Sequence, residues 1–316
     1  MSVRGDFAGS IQPVDHLDES IIALLVENGR AAAKEIADQV DLSPDAVRER
    51  IRRLLDSELV RVTGAVTPGS VGVSAQALVG LRISGPVLPI ARRLASVELI
   101  DFVACTTGPY DILVEVLGAD SDQLFETLEA NIRCIPEALH VETFLYLSIE
   151  KSRVPAVKND GATSLRRLDS DELAIIDALR NDGRISYKAL AAKTGVSYPT
   201  ARRKAIALLE SGIVQIHTHV HEDAVRDRVD AAIGIKVQGP LDGAIEYLRQ
   251  VPEVDVMVTC TGRYDLLVDV ITDSVESLRQ LAGDTVRAAP GVVSTETLSY
   301  MSVLKLPYEW AVPSRA

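Results

Sequence analysis

The feature that most limits what this chain can fold into is that its sequence is written twice. Along the 316 residues, Gly29-Arg30 recurs as Gly183-Arg184, Ser43 as Ser197, Arg48 as Arg202 and Leu54-Leu55 as Leu208-Leu209. Further on, Gly85-Pro86 recurs as Gly239-Pro240, Thr107-Gly108 as Thr261-Gly262, Tyr110-Asp111 as Tyr264-Asp265 and Glu142-Thr143 as Glu296-Thr297. Each pair lies 154 positions apart, so no insertion or deletion interrupts the match. Self-similarity at one fixed period means that one structural unit is built twice. The expected joint, residues 151–167, carries Pro155, Lys158-Asn159-Asp160-Gly161, Thr163 and Ser164, the polar, Gly/Pro-bearing chemistry of a linker.

The first third of each unit reads as three short helices. Asp15 caps a helix carrying Leu17, Ile21, Ile22, Leu24 and Leu25 at helical spacing, and Gly29 suits a left-handed position at its end. A second helix spans 32–40, Asp41-Leu42 makes a tight turn, and Ser43 caps a third helix with Pro44 at its first position. Val47, Ile51, Leu54 and Leu55 share one face of that helix, while Arg48, Arg50, Arg52 and Arg53 lie largely off it. Residues 59–62 read as the first strand of a wing. The second unit repeats the pattern, with its turn at Val196-Ser197 and its third helix over 198–210. A cramped turn between the second and third helices is helix-turn-helix geometry. The expected modules are winged helix-turn-helix domains at 14–70 and 168–224. DNA contact is expected from Ser43, Asp45, Arg48, Arg50 and Arg52, and from Ser197, Tyr198, Thr200, Arg202, Arg203 and Lys204.

Charge supports that assignment locally. The whole chain carries −12, which disfavours non-specific attraction to phosphate. Yet residues 43–62 hold five Arg against four acids, and residues 197–216 hold three basic residues against one.

The other two thirds of each unit alternate between strand and helix. Strands are expected at 77–83, 99–106, 111–117 and 140–149, with helices at 88–95 and, capped by Ser121, at 121–132. The order β-α-β-β-α-β is ferredoxin-like, placing α+β sensing domains at 75–150 and 229–306. Their pointed feature is the hairpin Thr-Gly-x-Tyr-Asp, at Thr107, Gly108, Tyr110 and Asp111 and again at Thr261, Gly262, Tyr264 and Asp265. Glycine there suits the turn. Aspartate is depleted in strands, so it serves either to cap the hairpin or to receive a ligand ammonium group.

No catalytic constellation stands out, and neither a cofactor nor a metal site is expected. His217, His219 and His221 alternate along one strand and share a face, but Thr63, Ala65 and Thr67 occupy those places in the first unit. Cys105, Cys134 and Cys260 have neither the number nor the spacing of a disulfide framework or a zinc site. No apolar run approaches the roughly 20 residues of a membrane span, and no secretory signal opens the chain. The expected location is the cytoplasm, with no membrane partner.

The chain resembles the Lrp/AsnC, or feast/famine, regulators. The resemblance rests on Leu168-Asp169-x-x-Glu172-x-x-Ile175-Ile176, Asp182-Gly183-Arg184, Val196-Ser197 with Arg202, the run 208–214, and Gly262-x-Tyr264-Asp265-Leu266-Leu267-Val268. The first unit departs at Asn28 and Glu58. The resemblance implies that each third helix enters the major groove of double-stranded DNA, and that the sensing modules pair through their sheets to bind amino acids or related effectors. It also implies homo-oligomers, here dimers or tetramers of a chain that is itself a covalent pseudo-dimer. Sirohaem decarboxylases share the architecture and offer an enzymatic alternative, but they carry Tyr-Asn-x-Trp-type residues at the hairpin. The only Trp here, Trp310, lies outside both modules.

Overall fold

The protein was analysed as a computed structural model that describes residues 14–57, 59–66, 69, 72–152, 168–220 and 228–306. Glu58, Thr67, His221, Trp310 and most of the expected linker lie outside these residues. The first unit contains α1 (His16–Glu27), α2 (Ala33–Val40), α3 (Pro44–Asp56), β1 (Val60–Val66), β2 (Ala75–Ile83), α4 (Val87–Ala95), β3 (Ile100–Thr106), β4 (Ile112–Gly118), α5 (Ser121–Leu128) and β5 (Ala138–Lys151). The second contains α6 (Ser170–Asn181), α7 (Tyr187–Thr194), α8 (Tyr198–Glu210), β6 (Val214–Val220), β7 (Val229–Val237), α9 (Asp242–Arg249), β8 (Val254–Cys260), β9 (Leu266–Thr272), α10 (Val275–Gln280) and β10 (Val292–Lys305).

Local chemistry starts each helix. Asp15 and Asp18 form a capping box on α1, and Asp169 and Glu172 form its equivalent on α6. Ser43 caps α3 by accepting from Ala46 N at 3.2 Å, whereas the Ser197 hydroxyl bonds Thr200 and leaves α8 without a side-chain cap on its backbone. The cap of α5 is Asp120, not Ser121: its carboxylate accepts from Gln123 N at 2.9 Å.

The two units interlock at two levels. At the first, β1 pairs antiparallel with β6, with Thr63 opposite His217. The strand expected to open a wing within its own module therefore pairs with its counterpart from the other module. Ile216 and Val220 of β6 pack into the core of α1–α3 around Ile21, Leu25 and Ile36, and Val66 of β1 enters the core of α6–α8. Two arginines lock this exchange. Arg30 donates to the carbonyls of Gly183 (2.6 Å) and Ile185 (3.1 Å); Arg184 returns the contact to the carbonyls of Gly29 and Ala31.

The glycines beside these arginines are required by close approach. A Cβ on Gly183 would stand 2.9 Å from the backbone of Thr63, and one on Gly29 would stand 2.8 Å from Ile216. Gly29 is not left-handed, contrary to the sequence expectation. Its helix ends at Asn28 in extended conformation because the chain must turn toward β6.

At the second level the two ferredoxin-like sheets close on each other. The strand order β10-β3-β4-β2-β5-β8-β9-β7 forms a closed barrel. The long strands span both halves: β5 pairs with β2 and then β8, and β10 pairs with β7 and then β3. Lys151 donates to Val251 O (2.7 Å) and Lys305 to Val97 O (2.8 Å), a second reciprocal pair. Outer faces of the strands bury Val79, Leu81, Val103 and Val114 beneath α4 and α5, with a matching cluster in the second half. Inner faces meet in a shared cluster that includes Leu78, Phe102, Tyr110, Phe144, Ala232, Tyr264 and Leu298. Closure leaves the barrel without a free sheet edge.

Arg184→Ala removes two hydrogen bonds from a charged donor and should cost about 1.5–3 kcal/mol. Because the loss falls on the helical pair, hydrogen exchange should quicken in α1, α6, β1 and β6 and stay unchanged in the barrel. Equal loosening of both levels would contradict the separation described here.

Candidate functional site

Two sets of residues carry candidate chemistry: the third helices and the sensing hairpins. Helix α3 sits on Val47, Ile51 and Leu54, all buried, so Asp45, Arg48, Glu49 and Arg52 face solvent. These exposed charges partly cancel, since Arg48 pairs with Asp45 and Arg52 with Glu49. Arg50 is different. Its guanidinium bonds Asp15 (2.8 Å) and Asp18 (2.7 Å), and Arg53 also reaches the fully buried Asp18. The Asp18 N–H and then Arg50 hold the Asp15 carboxyl down at about 2. Arg50, expected to meet DNA, thus ties α3 to the start of α1.

Lys204 occupies the same place in the second module, bonding Asp169 (2.7 Å) and Asp171 (2.8 Å). It too is engaged within its module, because an ammonium there offsets the acids that open α6. What remains on the α8 surface is Ser197, Tyr198, Arg202 and Arg203, all exposed, with Thr200 half-buried. Tyr198 keeps 51% of its surface open despite its large ring. The second reader is therefore the more cationic of the two.

In the adjoining strands, His219 lies against Thr63 (3.0 Å), and burial, then His217, push its pKa down to about 4. Among the described residues no three His, Cys, Asp or Glu side chains converge as metal ligands.

The hairpins sit at the seam between the barrel halves. Thr107 N donates to Ser299 O (3.1 Å) on β10, and Thr261 N to Leu145 O (3.0 Å) on β5, so each hairpin docks on the other unit's long strand. Gly108 and Gly262 hold φ at +104° and +117°, a conformation L side chains rarely adopt. Tyr110 and Tyr264 lie flat under Gly80 and Gly234, where an added Cβ would stand 2.6 Å from either ring. The repeated glycines of β2 and β7 are seats for these tyrosines, a role invisible without the cross-strand register.

The hairpin aspartates close the turn. Asp111 accepts from Ile83 N at 2.7 Å and Asp265 from Val237 N at 2.8 Å, while Lys236 takes the second oxygen of Asp265 at 2.8 Å. Burial opposes the Asp265 charge, but Lys236 and the Val237 N–H outweigh it and keep the pKa below the ordinary value. Of the two readings left open by the sequence, the capping role is the one this geometry realises, which leaves ammonium recognition to other groups.

Sequence reasoning missed Glu142 and Glu296 as such groups. Tyr110 OH donates to Glu142 (2.5 Å) and Tyr264 OH to Glu296. Burial, followed by the Glu142 and Glu296 carboxylates, raises both phenols above their ordinary range. Arg263, which faces Pro109 across the repeat, donates to Glu296 at 2.9 Å and approaches Glu142 at 3.8 Å, with its guanidinium 5.2 Å from the Tyr264 ring centre. Phe144 stacks on Tyr264 at 5.2 Å; Leu298 fills that place in the other half. Recurrence of Glu142-Thr143 as Glu296-Thr297 was the available signal. The seam thus offers two carboxylates, one guanidinium and two turn amides within one apolar frame.

Comparison with known proteins agrees with these features. The AsnC-type helix-turn-helix domain matches residues 14–55 and 168–205, and the Lrp/AsnC ligand binding domain matches 211–310. A C-terminal dimeric alpha+beta barrel domain matches 75–157. The HTH-type transcriptional regulator FL11 of Pyrococcus horikoshii is 30% identical over 141 residues, which is 44% of this chain and 93% of that protein. Regulatory protein AsnC of Escherichia coli is 31% identical over 141 residues, 42% of this chain and 90% of that one. Such relatives correspond to one unit of the two. Across both units the fold is similar to the siroheme decarboxylase NirDL in complex with an iron-uroporphyrin III analogue, with TM-score 0.63, 12% identity, and 93% and 95% of the two chains covered. The chain belongs to the Lrp/AsnC family of transcriptional regulators, as a tandem duplication of its helix-turn-helix and ligand-binding units.

Proposed function

We propose that the chain is a sequence-specific DNA-binding regulator of the cytoplasm that acts as its own dimer and reads two unlike half-sites. The observation that carries this reading is the pairing of β1 with β6, which joins the two helix-turn-helix modules within one polypeptide. A symmetric dimer presents identical readers and selects a palindrome. Here Pro44-Asp45-Ala46 precedes Arg48, while Tyr198-Pro199-Thr200 precedes Arg202. Residues at the start of a recognition helix reach base edges, and different side chains there prefer different bases.

The effector is an amino acid or a close relative, held at the hairpin seam. A zwitterion needs a cation or amide for its carboxylate and an acceptor for its ammonium. Arg263 and the Gly108 and Gly262 amides supply the first; Glu142 and Glu296 supply the second. Since each hairpin docks on the opposite unit, a ligand there bears on the pairing itself.

The enzymatic alternative finds less support. A uroporphyrin-type substrate is a polycarboxylate and calls for basic partners, whereas the barrel interior carries Glu115, Asp230 and Asp269 on its strands. A shifted absorption spectrum on mixing the protein with sirohaem would favour the decarboxylase reading instead.

Selection from a random DNA pool should return a site with two different halves, their centres about one helical turn or a multiple apart; a perfect palindrome would contradict the reading. Arg202→Ala with Arg203→Ala should weaken that site by about 1–3 kcal/mol for each base edge no longer read, while unchanged binding would remove α8 from the interface. For the effector, a thermal-shift screen of the amino acids should identify a stabilising ligand. Its affinity should fall at least about tenfold, near 1.4 kcal/mol, in Glu142→Gln/Glu296→Gln. Equal affinity in that variant would exclude the seam.

A further inference from the structure

The barrel interior holds more acid than its packing uses. On β4, Leu113 faces the lumen while Val114 and Val116 face the helices, so Glu115 points inward. On β9, Leu267 faces the lumen while Val268 and Val270 face outward, so Asp269 also points inward. Glu115 and Asp269 are equivalent positions of the two units. Tyr146 and Tyr300, likewise equivalent, pack at the edge of the same inner cluster. Phe102 stands opposite Glu115 in the ladder and Val256 opposite Asp269. Phe102 and Tyr300 are in ring contact at 5.4 Å.

The charge here is uncompensated. Tyr300 OH donates to Asp269, and Arg228 is committed to Asp230 at 2.8 and 2.9 Å. Among the described residues, Glu115 and the Tyr146 hydroxyl have no hydrogen-bond partner. Both lie deep in the barrel, yet no sealed side-chain oxygen is left unpartnered among the described residues, so these two groups border an open, water-sized space. Burial, then Asp101 and Asp269, raise the Glu115 pKa well above its ordinary value. Burial also lifts Asp269 to about 7 against the opposing Tyr300 hydrogen bond, with Asp255 and Asp230 adding to the rise. An unpaired interior carboxylate is costly to keep, and perturbed groups facing an enclosed space mark candidate sites.

We propose that the barrel lumen binds a small organic cation, an ammonium group on a short aliphatic stem, with Glu115 and Asp269 as counter-ions. The hydroxyls of Tyr146 and Tyr300 accept further N–H bonds, and Phe102 and Val256 wall the stem. An anion is repelled by the same acids. The site is separate from the hairpin seam: Tyr146 lies four residues, roughly 13 Å, along β5 from Glu142. It stands whether or not an amino acid binds the seam.

The test is calorimetric titration of the full chain at pH 7.5 with 1,4-diaminobutane, alongside 1,4-butanediol and calcium chloride. Saturable binding of the diamine is expected, with none of the diol. Glu115→Gln and Asp269→Asn should each weaken it at least tenfold, whereas Glu142→Gln should leave it unchanged. Both lumen variants should also melt higher than the parent at pH 7.5. An acid whose folded pKa is raised destabilises the fold once pH exceeds that of the unfolded carboxyl, so the gain should vanish below about pH 4. Absence of saturable diamine binding, binding that survives Glu115→Gln, preferential saturation by calcium, or lumen variants that melt lower than the parent would each overturn the proposal.

Discussion

Everything in this molecule depends on one constraint: neither unit is complete without the other. The strand that follows each recognition helix finds its hydrogen-bond partner only in the other unit, as β1 on β6. Each four-stranded sheet would be left with open edges unless β5 reached β8 and β10 reached β3. Open edges invite unwanted pairing, and closure removes them. Reciprocal contacts from Arg30 and Arg184, and from Lys151 and Lys305, show that the joint follows an approximate two-fold axis.

Covalent linkage also relaxes a restriction that symmetry would impose. In a homodimer every residue on the axis appears twice. A guanidinium at the position of Arg263 would then face its own copy, at a like-charge cost. Here Pro109 stands at the equivalent place, so one Arg263 can serve Glu142 and Glu296 together. The same freedom lets Phe144 oppose Leu298 in the shared core. It also gives α3 exposed ion pairs of its own, while α8 presents Arg202 and Arg203. Divergence is concentrated where DNA or a ligand is to be read.

The sequence reading recovered the elements because local chemistry specifies them: Asp15 and Ser43 as caps, helical spacing for Ile21 and Ile51, and glycine in the hairpins. It failed where a residue's role is set by a segment far away in the chain. Gly29 looks like a helix terminator but makes room for Ile216; Arg50 looks like a free cation but is bound by Asp15 and Asp18. Asp111 looks like a ligand for an ammonium group but accepts from Ile83 N at the end of β2. Charge pattern and periodicity report which face a side chain occupies. They are silent on what another segment brings to that face, and the 154-residue offset alone does not say whether the copies pair within a chain or between chains.

Pairing within one chain is the central claim, and a cross-link between facing strands tests it most directly. Thr63 lies opposite His217, so cysteines at both places share one face of the β1–β6 ribbon. In a background with Cys105, Cys134 and Cys260 replaced, mild oxidation of Thr63→Cys/His217→Cys should give a cross-link inside single chains at any protein concentration. A mixture of chains carrying one cysteine each should stay uncross-linked. Covalent dimers between a Thr63→Cys chain and a His217→Cys chain would show that the units pair between molecules, and would contradict the account.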